Sequence, residues 1–362
     1  MIPLRLAAHA PDAQTSFVTR VNAHSTCAGA QDAVLVSSDN GVHCITAHGP
    51  LSMPGVDLAD INGDVLFVDP PKGIAHRLIR AQSRHNTFLV TEQCDQLCVM
   101  CSQPPKRHHV DMFAYFEQAA LLAPANATIG ISGGEPTLHI DDLFCLLDNT
   151  LSKRPDISFH ILSNGQHLNE LHAERLLGLA RDKIEWGIPL YSADPALHDQ
   201  IVKKEGAFEK VMETLDRLAT IGSRIELRTV IMKPNLAGLP RLSEFITRHL
   251  PYVSVWALMQ LENIGYGRMN WNDLFEDNSV RFSEIGDALD IAKAKGISAQ
   301  LYNFPRCTIP EAYRALAPST ISDWKQRYLP ICDGCEEKSD CSGFFEWYPD
   351  KSGYSRLGLQ GG

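Results

Sequence analysis

The chain has 362 residues, 44% hydrophobic and 21% charged, with a formal net charge of -10 and a pI near 5.8. Such a chain buries a sizeable core and has room for more than one domain, and its acidic balance argues against a broad nucleic-acid surface. Residues 1–20 mix Pro, His, Asp and Arg with short apolar stretches, which is neither a signal peptide nor a membrane span. A cytoplasmic protein with no membrane or nucleic-acid partner is expected.

In chain order, residues 1–84 read as a small β-rich N-terminal module. Ala33-Val34-Leu35-Val36 and Val42-His43-Cys44-Ile45 flank the turn signal Asp39-Asn40-Gly41, a hairpin signature. A second strand pair, 64–68 and 74–79, brackets Asp69-Pro70-Pro71-Lys72-Gly73. This module carries no catalytic constellation and is expected to dock a substrate or to cover the rest of the fold, with docking slightly favoured.

From residue 85 the pattern changes to short apolar runs alternating with helical periodicity, the sign of βα units and a parallel sheet. The strands are expected at 87–91, 127–131, 157–162, 184–190, 225–232 and 253–259. In the helix expected at 208–221, Phe208, Val211, Met212, Leu215 and Leu218 recur at helical spacing and Gly222 supplies the stop. The segment 282–295 repeats this pattern before Gly296. The fold class is therefore α/β, with residues 85–305 forming a partial (β/α)6 barrel whose functional loops follow the strand ends. A seventh apolar stretch, 297–302, leads into a Cys-rich region at 306–362.

Ten cysteines without an export signal point to metal binding or redox catalysis before disulfides. Cys27, Cys44 and Cys145 stand alone and read as buried small hydrophobes. Cys94-x3-Cys98-x2-Cys101 directly follows the first barrel strand. Three thiolates on one tight loop can hold three irons of a cubane and leave the fourth iron open for chemistry, unless a distant cysteine closes it. A closed zinc site is the alternative, but it needs a fourth ligand and favours other spacings. The only dense basic run, Lys106-Arg107-His108-His109, reads as a solvated loop after this metal site. The next strand runs into Gly133-Gly134-Glu135-Pro136-Thr137, where paired glycines let a ligand approach the backbone and the carboxylate suits a cationic amine. Cys332-x2-Cys335-x5-Cys341, with Cys307, makes a four-thiolate set that zinc would also satisfy.

The three-cysteine loop followed by Gly133-Gly134-Glu135-Pro136 resembles the radical S-adenosylmethionine superfamily, and the similarity continues over most of residues 85–345. The resemblance implies a [4Fe-4S] cluster held by Cys94, Cys98 and Cys101, with S-adenosylmethionine on the open iron beside Gly133, Gly134, Glu135 and Pro136. An electron from an external donor would cleave the cofactor to a 5′-deoxyadenosyl radical, for which the protein supplies positioning and exclusion of water. Ser163-Asn164-Gly165 resembles the third-strand motif that reaches the ribose. Leu190-Tyr191-Ser192-Ala193-Asp194, with His198-Asp199 and Gly206-Ala207-Phe208, is similar to the fourth-strand region of cofactor-maturing and peptide-modifying members, which brings in Ser192. Arg228 is the candidate for the methionine carboxylate or the substrate. Two departures stand out: Met100 occupies a position that is commonly aromatic and lies against the adenine, and Asp95 one where asparagine is frequent.

The resemblance also favours a second [4Fe-4S] cluster on Cys307, Cys332, Cys335 and Cys341. Tyr302-Asn303-Phe304-Pro305-Arg306-Cys307, Ser319-Thr320-Ile321-Ser322-Asp323-Trp324-Lys325, Tyr328-Leu329-Pro330 and the closing cysteines resemble the C-type radical maturase family of His-Xaa-Ser peptide systems, as does Ile264-Gly265-Tyr266-Gly267-Arg268-Met269-Asn270. That placement implies a ribosomally made peptide substrate, handled with a second radical maturase and a small accessory protein. Two readings compete with it. One is a radical enzyme acting on a small molecule in cofactor biosynthesis; the other is an iron–sulfur redox sensor or structural metal protein, which would leave the Gly-Gly-Glu-Pro and Ser-Asn-Gly signatures unexplained.

Overall fold

The computed structural model describes residues 2–24 and 29–358, in two seven-stranded sheets and a two-stranded one. Cys27 lies outside the described residues.

The first sheet holds β1 (Arg5–Ala7), β2 (Phe17–Asn22), β3 (Asp32–Ser37), β4 (Gly41–Thr46), β5 (Gly49–Pro54), β6 (Val65–Asp69) and β7 (Ile74–Ile79), in the order β1-β7-β6-β2-β3-β4-β5. The expected hairpin is present: β3 and β4 pair antiparallel, and Asn40 and Gly41 take positive φ at the turn. β6 and β7 pair antiparallel across the Pro70–Lys72 turn, and Gly73 ends it at φ 64°. His9 and Ser52 exchange backbone hydrogen bonds of 2.8 and 2.9 Å, so the two edges of the sheet meet around a core of its own. Val18, Val65, Phe67 and Ile79 belong instead to the main core, and the Phe67 ring meets Tyr115 edge-on at 4.8 Å. One face of this module therefore covers the helix Phe113–Leu121.

The second sheet is parallel throughout, in the order β14-β13-β12-β11-β10-β9-β8. Its strands are β8 (Asn86–Thr91), β9 (Thr128–Gly133), β10 (Ser158–Leu162), β11 (Ile184–Pro189), β12 (Arg224–Val230), β13 (Val255–Met259) and β14 (Ala299–Tyr302). The six expected strands are all present, and the seventh apolar stretch joins the same sheet as β14. Alternation along each strand sends one set of side chains to the helices and the other to the inner face. On β10, Phe159 and Ile161 pack outward into the core; on β12, Ile225, Leu227 and Thr229 do so. Ser158, His160, Glu226 and Arg228 consequently face inward, giving the barrel a polar interior. The helices Ala207–Thr220 and Ser283–Ala294 match the expected ones within a residue or two.

Two lone cysteines behave differently. Cys44 is 2% exposed on β4, as expected, and burial pushes its thiol up to about 11. Cys145 corrects the reading from sequence: it is exposed. The run Leu143–Leu147 is part of the helix Ile140–Lys153, where Leu143, Phe144, Leu146 and Leu147 are buried and position 145 falls on the outward side. Among the described residues no helix is long and apolar enough to cross a membrane.

Candidate functional site

β8 ends at Thr91, and the loop beyond it carries Cys94, Cys98 and Cys101, all half-buried and free of disulfides. The three thiols lie in one another's electrostatic field. Burial, more than the neighbouring thiols, raises Cys94 to about 11 and Cys98 to about 12, and it raises Cys101 as well. Bare thiols here stay protonated at neutral pH, and a metal must displace those protons to bind.

The loop is gripped by backbone from three other parts of the chain. Leu97 and Val99 N–H donate to the carbonyls of Val202 (3.3 Å) and Ile201 (2.9 Å), at the end of the helix Pro195–Val202. Gly134 and Glu135 N–H donate to Thr91 (2.9 Å) and Gln93 (2.8 Å). Tyr266 N–H donates to Cys101 at 2.8 Å, and Asn270 Nδ2 to the Val99 carbonyl at 2.8 Å. A Cβ on Gly134 would sit 2.2 Å from the Gln93 carbonyl oxygen, on Gly133 2.5 Å from that of Thr91, and on Gly265 2.5 Å from that of Cys101. On the side where a Cβ would stand, these glycines are approached by the cysteine loop's own backbone.

The acid of the same motif is also turned inward. Glu135 is fully buried, and its carboxylate accepts from Thr137 N–H and Oγ, Ser163 Oγ and Asn164 N–H. Burial raises its pKa against the pull of those donors. It therefore ties the end of β9 to the end of β10, with three of these bonds on Oε1 and one on Oε2. Ser163 is 5% exposed and occupied by the same carboxylate, while Pro136 is buried as the first residue of the turn Pro136–His139.

Asn164, in contrast, reaches the cysteine loop: its Nδ2 donates to Asp95 Oδ1 at 2.8 Å and lies 4.0 Å from Cys94 Sγ. Asp95 also meets His167 (3.1 Å) and Lys204. Burial alone would raise its pKa, but the hydrogen bonds from His167, Lys204 and Asn164 prevail and hold it well below the usual range. The aspartate that departs from the family pattern is thus an ionised anchor for the loop. Met100 is 7% exposed and packs with Ile201, Val202, Met232, Leu261 and Trp271. The Ser192 hydroxyl accepts from Asp194 N–H at 2.9 Å. Of the basic run, Lys106 pairs with Glu92 at 2.7 Å and is exposed with Arg107 and His108; His109 stacks on His139 with ring centroids 3.8 Å apart.

Arg228 faces the interior from β12 and donates from Nη1 to Glu226. Glu226 is 3% exposed, with His160 Nε2 at 3.5 Å and the Tyr302 hydroxyl donating to it at 3.2 Å. Burial opposes its ionisation, yet His160 and Arg228 bring its pKa down to about 2. Pairing of Arg228 with Glu226, two residues away on the same strand, is the plain reading of a barrel arginine and is what the structure shows; His160 and Tyr302 were not legible, because they stand on β10 and β14 and join only through sheet register. His167 and Lys204 were missed for the same reason, being remote in sequence from Asp95.

The second cysteine group also assembles. Cys307, Cys332, Cys335 and Cys341 line one cavity of about 600 Å³ with Tyr328 and Ile331. Cys341 Sγ accepts from Arg306 and Gly343 N–H, both at 3.3 Å. The Tyr328 hydroxyl donates to the Cys341 carbonyl at 3.1 Å. Among the described residues no three His, Cys, Asp or Glu side chains converge on a single ion. Four soft donors around one cavity and three thiols on a braced loop are donor sets that suit iron–sulfur clusters, and the four-thiol set would also satisfy zinc.

The model of the Radical SAM superfamily matches residues 88–245. Among curated relatives, GTP 3',8-cyclase of Clostridium botulinum (strain Hall) is 28% identical over 230 residues, 59% of this chain and 68% of that protein. The antilisterial bacteriocin subtilosin biosynthesis protein AlbA of Bacillus subtilis (strain 168) is 26% identical over 156 residues, 42% of this chain and 34% of AlbA. Among solved structures, Streptococcus suis SuiB bound to S-adenosylmethionine overlays with a TM-score of 0.49 at 14% identity, covering 62% of this chain and 51% of SuiB. The chain thus spans about half the length of SuiB and a third of AlbA. The matched segment holds the three-cysteine loop, the Gly-Gly-Glu-Pro strand end and the Glu226–Arg228 strand, and through it the chain is similar to the Radical SAM superfamily.

Proposed function

We propose that this radical S-adenosylmethionine enzyme modifies a ribosomally synthesised peptide, of the kind matured in His-Xaa-Ser systems. Cys94, Cys98 and Cys101 would hold a [4Fe-4S] cluster whose fourth iron takes S-adenosylmethionine, and together the two would supply a 5′-deoxyadenosyl radical. The chain's own residues do the rest. Gly133, Gly134 and Pro136 shape the wall beside the loop, and Glu135 and Ser163 lock β9 to β10. Asn164, Ser192 and Arg228 present polar groups toward the cofactor, and Met100 closes its apolar side. Residues 1–84, 85–305 and 306–362 would act as docking module, barrel and auxiliary-cluster region.

The observation that carries the peptide reading is the second cavity. Four candidate thiols line it, which suits a closed [4Fe-4S] cluster with no iron left for a small substrate. Anaerobically prepared protein should hold about eight irons and eight sulfides per chain; about four irons with one zinc would remove this support. Anaerobic co-expression with the peptides encoded beside the gene, followed by mass analysis, tests the substrate. A mass change that disappears with Cys94→Ala would support the proposal, and unchanged peptides would count against it.

A second reading has its own support in the GTP 3',8-cyclases among the relatives. A small-molecule enzyme of that kind should consume GTP anaerobically in the presence of S-adenosylmethionine. Failure to do so, with the iron content intact, would favour the peptide.

A further inference from the structure

The ion cluster inside the barrel is unexplained by stability. A buried ion pair contributes little compared with an apolar replacement of the same volume, and the facing strands would pack without it. Four inward residues nonetheless build it from three strands: His160 on β10, Glu226 and Arg228 on β12, and Tyr302 on β14. The intervening strand β11 is cut away for them at Gly187, where a Cβ would lie 3.1 Å from both Arg228 Cδ and His160 Nε2 and 2.6 Å from Leu162 Cδ2. Glu226 accepts from Arg228 beside that gap and from Tyr302 on its other side, across β13.

Arg228 is only partly used by this arrangement. A guanidinium has about five N–H donors, and among the described residues Arg228 makes one hydrogen bond, from Nη1 to Glu226. Its side chain is 21% exposed on the inner face. Leu190 N–H donates to the Arg228 carbonyl at 3.0 Å, and the next residue, Tyr191, packs in the apolar cluster that holds Cys98 and Met100, so Arg228 stands at the cysteine-loop end of the barrel. A fixed fork of unused N–H groups beside a half-open space is the geometry that takes a carboxylate in two parallel bonds.

We infer that Glu226 is the positioning residue of a carboxylate site: braced by the Tyr302 hydroxyl across β13 and facing His160 through the gap at Gly187, it holds one edge of Arg228 so that the other edge receives the carboxylate of S-adenosylmethionine. This rests on the cofactor reading proposed above. Without the anchor, the arginine side chain keeps its charge but loses its direction, and the ordering entropy returns to the binding step.

The test compares two nucleosides on the anaerobic, cluster-loaded full chain: S-adenosylmethionine, which has the carboxylate, and 5′-methylthioadenosine, which does not. Glu226→Gln should raise the dissociation constant for S-adenosylmethionine by about tenfold or more and leave that for 5′-methylthioadenosine unchanged, at unaltered iron content. Tyr302→Phe removes a single hydroxyl, should shift the same ratio in the same direction by about threefold, and decides the matter if the first variant does not fold. Equal weakening of both nucleosides, or of neither, would overturn the inference. If the wild-type protein carries its iron and binds no S-adenosylmethionine, the cofactor reading fails as well, which is a separate result.

Discussion

The two cysteine sites are built in opposite ways. The first is one loop held from outside: carbonyls of Ile201 and Val202, the backbone of Gly133 to Glu135, and Tyr266 and Asn270 all bond it, and its side chain Asp95 is anchored by His167, Lys204 and Asn164. The second is wound from a short stretch near the end of the chain, with two of its cysteines in the single 3-10 turns Arg306–Thr308 and Pro330–Cys332. A framework that prearranges its ligands can leave one metal corner free for a reactant. The second site is framed from within residues 306–345, where Arg306 bonds Glu337 at 2.7 Å and the Ala317 carbonyl at 3.0 Å and Gln326–Arg327 pairs with Phe344–Phe345, so a bound metal adds order to a frame that the segment itself supplies. The first therefore suits chemistry and the second suits a closed, structural or electron-carrying centre.

Removing a ligand from the braced site should have the largest effect. Cys98→Ala is expected to abolish reductive cleavage of S-adenosylmethionine, measured as 5′-deoxyadenosine formed under dithionite. Full turnover by that variant would refute the assignment of the loop.

Disturbing the brace without touching a ligand comes next. Gly134→Ala places a methyl 2.2 Å from the Gln93 carbonyl oxygen and 2.9 Å from Cys94 Cβ, both in the loop itself. Overpacking of backbone costs about 1–3 kcal/mol, and the loop is the part free to give way. Iron content should fall by about half, from about eight to about four per chain, with the second site still filled. Retention of all the iron would show that the glycine is dispensable and the brace loose.

Where the chain was legible, the signal was local. Strand and helix positions followed from side-chain alternation over a handful of residues, so β8 to β13 and the helix Ala207–Thr220 lie where their patterns put them. The cysteine spacing was equally local. Contacts across sequence distance were not legible: Gly265 looked like part of a motif with no reason attached, and its reason is the Cys101 carbonyl oxygen, 2.5 Å from where its Cβ would stand. The bonds from Ser163 and Asn164 to Glu135 were equally hidden, because nothing in five adjacent residues reveals those partners. Gly187 carries no motif at all, and its role depends on its neighbours across β10 and β12.

A ligand change in the second site should be smaller in its effect on cofactor cleavage and larger in its effect on local order. Cys335→Ala is expected to lose about four irons while keeping S-adenosylmethionine binding, and the region around 306–358 should become more open to limited proteolysis than in the wild type. Protection equal to the wild type would mean that the turns hold themselves and that the contrast with the first site is wrong.

The smallest effect belongs to a cysteine that neither site uses. Cys145 is exposed on the helix Ile140–Lys153, 3.7 Å from Arg175 Nη2, away from both groups. Its replacement by serine keeps the size and a polar edge toward Arg175, and surface changes of this kind stay within about 0.5 kcal/mol. Iron content, S-adenosylmethionine affinity and melting temperature should all match the wild type. A loss of iron would mean that Cys145 competes for or delivers metal, and that the partition of cysteines into one braced set and one metal-ordered set leaves a ligand out.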